Sequence, residues 1–324
     1  QNVDVIRLEV GYRLISLVDK EQQGELIGRI KGVRKKVSQD LGFLLQPVHI
    51  RDNLDLPANN YRIVVQGVIE GEGEVYTDRE LAINPGNVSG KIDGIVTKDP
   101  AFEMEAIWIE PSQRDQAQTL GYTVVDPSTV VATHLSKILR ECGHYFLGYE
   151  ETKQLLDKLA DRSPQLVEDL VPKALPMSAV VKVMQNLLQE GVPIRDIRTI
   201  AETLAEAANT SQNTDALTAI ARVALRRAIV QEINGMRKDL SVFTLSPKLE
   251  QLLQKTIHEG PETYFALEPT LAEKMQDSVR DLAQQQEAVG LPPVILVTSC
   301  FRVMFSKLFR TSVKYLIIFS FVDI

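Results

Sequence analysis

The chain has 324 residues, of which 44% are hydrophobic and 24% charged, and its formal net charge is −7 at pH 7. That length allows two to four hydrophobic cores, and the composition is that of an ordinary globular protein. The acidic balance excludes a general nucleic-acid binder, cysteines only at positions 142 and 300 exclude a disulfide framework and suit a reducing compartment, and no apolar run is long enough to span a bilayer.

In chain order, Ile6, Leu8 and Val10 alternate into Gly11, which predicts a strand ending at a tight backbone site. Leu26, Ile30, Val33, Val37 and Leu41 recur at helical spacing, so a helix is expected from about Glu21 to Leu41, with Gly42 as its C-terminal stop. Arg29, Lys31, Arg34, Lys35 and Lys36 lie on its polar side. Two readings stay open there: a solvated face, or a docking patch for an acidic partner or an anionic lipid surface. Pro47–Ile50 and Tyr61–Ile69 read as strands joined by a Pro/Asn loop. The glycine-rich stretch 71–94 has no G-x-G-x-x-G leading into a helix and no P-loop lysine, so hairpin turns are expected rather than a phosphate cradle. Lys98 to Phe102 is a Pro-containing turn, Ala106–Ile109 and Gly121–Val125 are strands, and Asp126 or Ser128 caps a helix with Val130, Val131, Leu135, Ile138 and Leu139 on its apolar face.

From Gly148 to Gly235 nearly everything reads as helix: Glu150–Ala160, Pro164–Leu170, Ser178–Glu190, Ile194–Ala208 and Thr214–Asn234, with prolines in the gaps. Strand Ser241–Leu245 and helices Pro247–His258 and Pro269–Glu287 follow. A βαβ unit then runs through Pro293–Thr298, Phe301–Phe309 and Val313–Phe321. Its last strand is apolar on both alternating faces, which favours a covered parallel position over an exposed edge.

No catalytic constellation emerges. His49, His134, His144 and His258 lie in separate elements without metal-ligand spacing, and His134 reads as a capping or packing residue. Cys142 and His144 are adjacent in sequence, which is not the geometry that activates a thiolate. The strand before Thr298-Ser299-Cys300 lacks the glycines of a nucleotide site, so no metal, nucleotide or organic cofactor is expected, and the βαβ unit reads as a packing surface toward a neighbouring subunit. The pattern favours a binding platform: Phe102 follows a turn and can reach the surface of a groove, with Asp99 offering a carboxylate at its rim and Val125, Val130 and Thr133 nearby. An ordinary core position for Phe102 is the competing reading.

Asp78–Gly90 (DRELAINPGNVSG), Lys98–Phe102 (KDPAF), Ala106–Pro111 (AIWIEP), Leu120–Leu135 (LGYTVVDPSTVVATHL) and Gly191–Glu206 (GVPIRDIRTIAETLAE) resemble the cytoplasmic domains of the FlhA-type export-gate family of type III secretion. The resemblance runs from about Asp4 to about Val303. It implies a multidomain fold, α/β with an all-α part: a first α/β subdomain at 1–77 plus 127–147, an inserted small α/β subdomain at 78–126, a helical subdomain at 148–235 and a C-terminal α/β subdomain at 236–324. It implies a non-enzymatic platform for flagellar export chaperones carrying filament-type substrates, docked in an apolar dimple between the first two subdomains. Asp99, Phe102 and Thr133 match the family's dimple positions, with Ile83, Pro85, Val125 and Val130 as its lining. Gly11, where the first strand ends against its own subdomain, reads as a conformational position, and its change to cysteine is expected to impair export in a temperature-dependent way. Other export-apparatus proteins and self-association into a nine-membered ring are further implied partners.

The same resemblance implies a multi-span membrane part before this piece, holding it at the cytoplasmic face of the bacterial inner membrane. The opening Gln1-Asn2-Val3-Asp4 fits an excised fragment and shows no signal peptide. An injectisome export gate is the alternative within the family, with KDPAF and VVDPSTVVATHL speaking for the flagellar branch; a hydrolase with an unrecognised site is the alternative outside it.

Overall fold

The computed structural model describes residues 4–19, 21, 24–260, 263–313 and 315–324. The chain divides into two compact units, 1–198 and 199–324, a coarser division than the four expected subdomains. Among the described residues no helix is long and apolar enough to cross a membrane.

In the first unit, strand Ile6–Val10 lies between Val48–Asp52, its parallel neighbour, and Asn60–Val65, its antiparallel one; Val68–Glu74 completes this sheet. Ile6, Leu8 and Val10 alternate inward as their spacing predicts. The expected single strand Tyr61–Ile69 is instead a hairpin. Gln66 and Gly67 both have positive φ, 49° and 81°, the two-residue turn that reverses a chain between antiparallel strands. Helix Leu26–Leu41 starts later than expected and ends on Gly42, whose left-handed φ of 103° a glycine adopts without penalty; Lys20, Gln22 and Gln23, before it, lie outside the described residues.

A second four-stranded sheet, Ile95–Lys98, Glu105–Ile109, Glu80–Ile83 and Thr123–Val125 in spatial order, is antiparallel throughout. Ala82, Ile92, Ile109, Ala117, Tyr122 and Val124 form its separate core. The chain then returns to the first sheet through helix Pro127–Glu141, whose N-cap Asp126 accepts a 2.7 Å hydrogen bond from the Thr129 amide. This helix packs on Leu26–Leu41 and against strand Val68–Glu74. The approach is close: a Cβ on Gly71 would stand 2.3 Å from Ile138 Cδ1 and 2.9 Å from His134 Nε2. Helices Tyr149–Ala160, Pro164–Glu168 and Met177–Gln189 follow.

In the second unit the expected helix Thr214–Asn234 is two helices, Thr214–Ala224 and Arg226–Asn234, broken at Leu225, where no Gly or Pro marks the break. Strand Val294–Val297, buried throughout, is central between Ile317–Ser320 and Phe243–Thr244, all parallel. Phe301, Phe305 and Phe309 of helix Ser299–Phe309 pack with Leu253, Met275 and Val279 in its core. Ile257–His258 and Tyr264–Phe265 form an additional short antiparallel pair that the sequence reading did not separate from its helices.

The final strand is shorter than expected, and it is an edge among the described residues rather than a covered central strand. Phe319 and Ser320 are buried, while Tyr315, Phe321 and Val322 are exposed; Lys314, within the expected strand, lies outside the described residues. A turn closes it, in which the Ser320 amide and hydroxyl both donate to Asp323 Oδ2, at 2.7 and 2.9 Å.

Candidate functional site

The turn after strand Ile95–Lys98 is built around one carboxylate. Asp99 Oδ2 accepts from the Phe102 amide at 2.9 Å and Oδ1 from the Met104 amide at 2.7 Å, while the Asp99 carbonyl takes the Glu103 amide. An Asp side chain reaching its own downstream amides is the local reason this segment turns. The consequence differs from the expectation of a rim carboxylate: Asp99 is only 4% exposed, and its oxygens are occupied within the turn. What reaches the surface is Phe102, 60% exposed, so it is not a core residue.

Phe102 overhangs an open depression of about 490 Å³ whose opposite wall is helix Pro127–Glu141. Thr133 lines the same depression, together with Arg29, Val33, Lys137 and Arg140. The structure therefore brings Phe102 and Thr133 together and makes Asp99 the support of the first. It does not bring the other expected lining residues to this depression. Val130 faces the core at 5% exposure, because its place on the helix puts it on the apolar stripe. Ile83 and Val125 are half-buried strand residues, registered against Ala106 and Leu81, and Pro85 is exposed beyond the strand end.

Of the cations lining the depression, Arg29 was legible in the sequence only as part of a basic helix face, and Lys137 and Arg140 were not singled out. Arg29 bonds Asp126 Oδ2 at 3.0 Å and Glu25 Oε2 at 3.4 Å, and Arg140 bonds Asp40 Oδ2 at 2.9 Å. The Arg140 and Lys36 contacts outweigh burial and leave Asp40 below the usual carboxylate range. The basic reading of the first helix could have found Arg29; nothing in the sequence paired Lys137 with the Phe102 turn.

Next to Thr133 in sequence, His134 belongs to a buried polar pair. The Tyr61 hydroxyl and His134 Nδ1 share a 2.7 Å hydrogen bond. Burial, with the Lys137 cation adding to it and Asp99 opposing it, pushes His134 down to about 4; burial, with Asp99 nearby, raises Tyr61. His134 is thus a neutral packing histidine. Among the described residues no cluster of three His, Cys, Asp or Glu could hold a metal ion. What this arrangement offers is a shaped surface with an aromatic anchor, hydroxyls and cations, suited to receiving a protein segment.

Gly11, at the end of its strand, has three carbonyl oxygens of the loop 57–60 within 3.0 Å of where a Cβ would stand, as the expected tight backbone site requires.

The chain is 46% identical over 317 residues to the flagellar biosynthesis protein FlhA of Escherichia coli, a match covering 98% of this chain and 45% of that protein. The chain thus spans less than half the length of this curated relative. Its fold is similar to that in the structure of the Chlamydia pneumoniae CdsV and CdsO protein complex, with TM-score 0.86, 25% identity and coverage of 98% and 93% of the two chains. It shares the fold of the nonameric EPEC SctV-C at TM-score 0.78 and 19% identity, covering 98% and 94%. The FHIPEP family matches residues 1–324, continuing past Val303, where the resemblance read from the residues stopped. On that match across its whole length, the chain belongs to the FHIPEP family.

Proposed function

We propose that this chain is the cytoplasmic docking platform of a flagellar type III export gate, and that export chaperones with their filament-type substrates dock in the depression beside Phe102. The observation that carries the reading is an exposed aromatic ring, held on a capped turn over an open depression, in a chain similar to flagellar export-gate proteins. A protein anchor of this kind needs a large ring with neighbouring polar groups to fix register, and Thr133, Thr129 and Ser136 supply hydroxyls there. The platform reading requires no bond-making chemistry from the chain.

The injectisome branch is supported by fold similarity; the flagellar branch has the higher identity, 46% against 25%. The nonameric relative supports assembly into a ring, and the CdsV–CdsO complex supports binding of further export-apparatus proteins. Attachment to a membrane part outside this chain would place the platform at the cytoplasmic face of the inner membrane. The four-subdomain division fits this role, since the depression lies where the inserted sheet's turn meets the helix that returns to the first sheet.

The test is Phe102→Ala. Truncating an aromatic anchor commonly costs roughly 2 kcal/mol of binding, about a thirty-fold loss in affinity. A titration of chaperone–substrate complex against the wild-type and variant chains should show that loss. The melting temperature should hold, because the ring is 60% exposed. Equal affinity of variant and wild type would refute docking at this site.

A further inference from the structure

An exposed ring serves as an anchor only if its turn already holds one conformation, because ordering the turn at the moment of binding costs affinity. Asp99 orders the turn internally. Those bonds close residues 99–104 on themselves without tying them to helix Pro127–Glu141, the opposite wall. The side chain of Lys137 spans that gap. Its ammonium donates to the Ala101 carbonyl, stands 5.5 Å from the centre of the Phe102 ring, and lies 3.7 Å from Glu141 Oε1 one helical turn on. The first contact holds the backbone of the turn against the helix. The second acts on the ring itself, since a cation within about 6 Å of an aromatic face is attracted by its quadrupole. Ala101, the residue gripped, is 3% exposed, so the latch seats the buried side of the turn while Phe102, next in sequence, stays outside.

We propose that Lys137 is a positioning residue for docking at this depression: it latches the turn to the helix and presets the orientation of Phe102. The proposal rests on the docking reading above. The plainer alternative is a surface lysine whose pairing with Glu141 at i,i+4 contributes little. The two differ in what happens to the turn when the charge is removed and the aliphatic stem kept.

Lys137→Met removes the donor and the cation, whereas Lys137→Arg can supply both. Amide hydrogen exchange should show the Phe102, Glu103 and Met104 amides exchanging several-fold faster in Lys137→Met, with the melting temperature unchanged and protection retained in Lys137→Arg. Affinity for the chaperone–substrate complex should fall about five- to tenfold in Lys137→Met. Little further should be lost when Phe102→Ala is already present, because the latch acts through the ring. Unchanged exchange at these amides in Lys137→Met, or losses from the two substitutions that simply add, would overturn the proposal. Exchange is read on the chain alone, so it decides the latch even if Phe102→Ala refutes docking.

Discussion

Replacing Gly11 by cysteine tests how tightly the first sheet is closed. A Cβ there would stand 2.4 Å from the Pro57 carbonyl oxygen, 2.8 Å from that of Ala58 and 3.0 Å from that of Asn60. All three are backbone atoms, so no side-chain rotation relieves the clash. The backbone at Gly11, φ −71° and ψ 169°, is open to any residue, so the cost is contact and not strain. Relief requires the loop to move away, which disrupts the hydrogen bonds from the Gly11 amide to the Asn60 carbonyl, 2.8 Å, and from the Arg13 amide to the Ala58 carbonyl, 2.9 Å. Each lost bond costs about 1 kcal/mol, overpacking costs about 1–3 kcal/mol, and the stiffer unfolded chain returns about 0.5–1 kcal/mol. The net is roughly 2–4 kcal/mol, a lowering of the melting temperature by roughly 5–15 °C for a unit of this size. Calorimetry under reducing conditions should show it for Gly11→Cys and, because the Cβ is the offending atom, for Gly11→Ala as well. If the full-length protein acts in flagellar export, secretion by the cysteine variant should fail first at the higher growth temperatures. Melting of both variants within about 1 °C of wild type would refute the argument.

The buried His134 predicts an acid-side instability. Its folded pKa, about 4, lies below the ordinary value of 6.5. On acidification the unfolded chain therefore takes up the proton first, so stability is full above about pH 6.5 and falls as the pH drops toward 4, by roughly 2–3 kcal/mol. Urea unfolding at pH 7.5, 5.5 and 4.5 should show a steeper decline for wild type than for His134→Gln, and parallel declines would contradict the assignment. In the second unit, Arg222 and Asp323 face each other at 3.7 Å with side chains 4% and 3% exposed. Arg222→Leu removes the cation facing the buried Asp323 carboxylate, leaving it the two Ser320 hydrogen bonds, and should destabilise that unit by about 1–3 kcal/mol; an unchanged melting profile would mean that the pair carries no stability. Asp99→Ala removes the acceptor of two turn amides and should speed their exchange while leaving the core near Trp108 intact. Loss of the Trp108 fluorescence signature would show instead that Asp99 supports the whole inserted sheet.

The sequence by itself determined what depends on near neighbours in the chain. Alternation fixed the strand Ile6–Val10, an unbroken apolar run fixed Val294–Val297, Gly42 stopped its helix, and the cap of helix Pro127–Glu141 was narrowed to Asp126 or Ser128, between which the structure chose Asp126, because period, φ preference and capping act within a few residues. Long matching blocks identified the family and pointed to Phe102 and Thr133 as expected dimple positions, which the structure places on one depression. Tertiary structure decided the rest. The Gln66-Gly67 reversal has a local signal that periodicity overrode, but the break at Leu225 and the edge position of Ile317–Ser320 have none, since they follow from which elements lie alongside. Burial of Asp99 and the reach of Lys137 to Ala101, across 36 residues of sequence, are likewise decided by packing. A carboxylate at a turn can face water or cap its own amides, and only the helix folding back over that turn removes water from one side and makes the second arrangement the stable one.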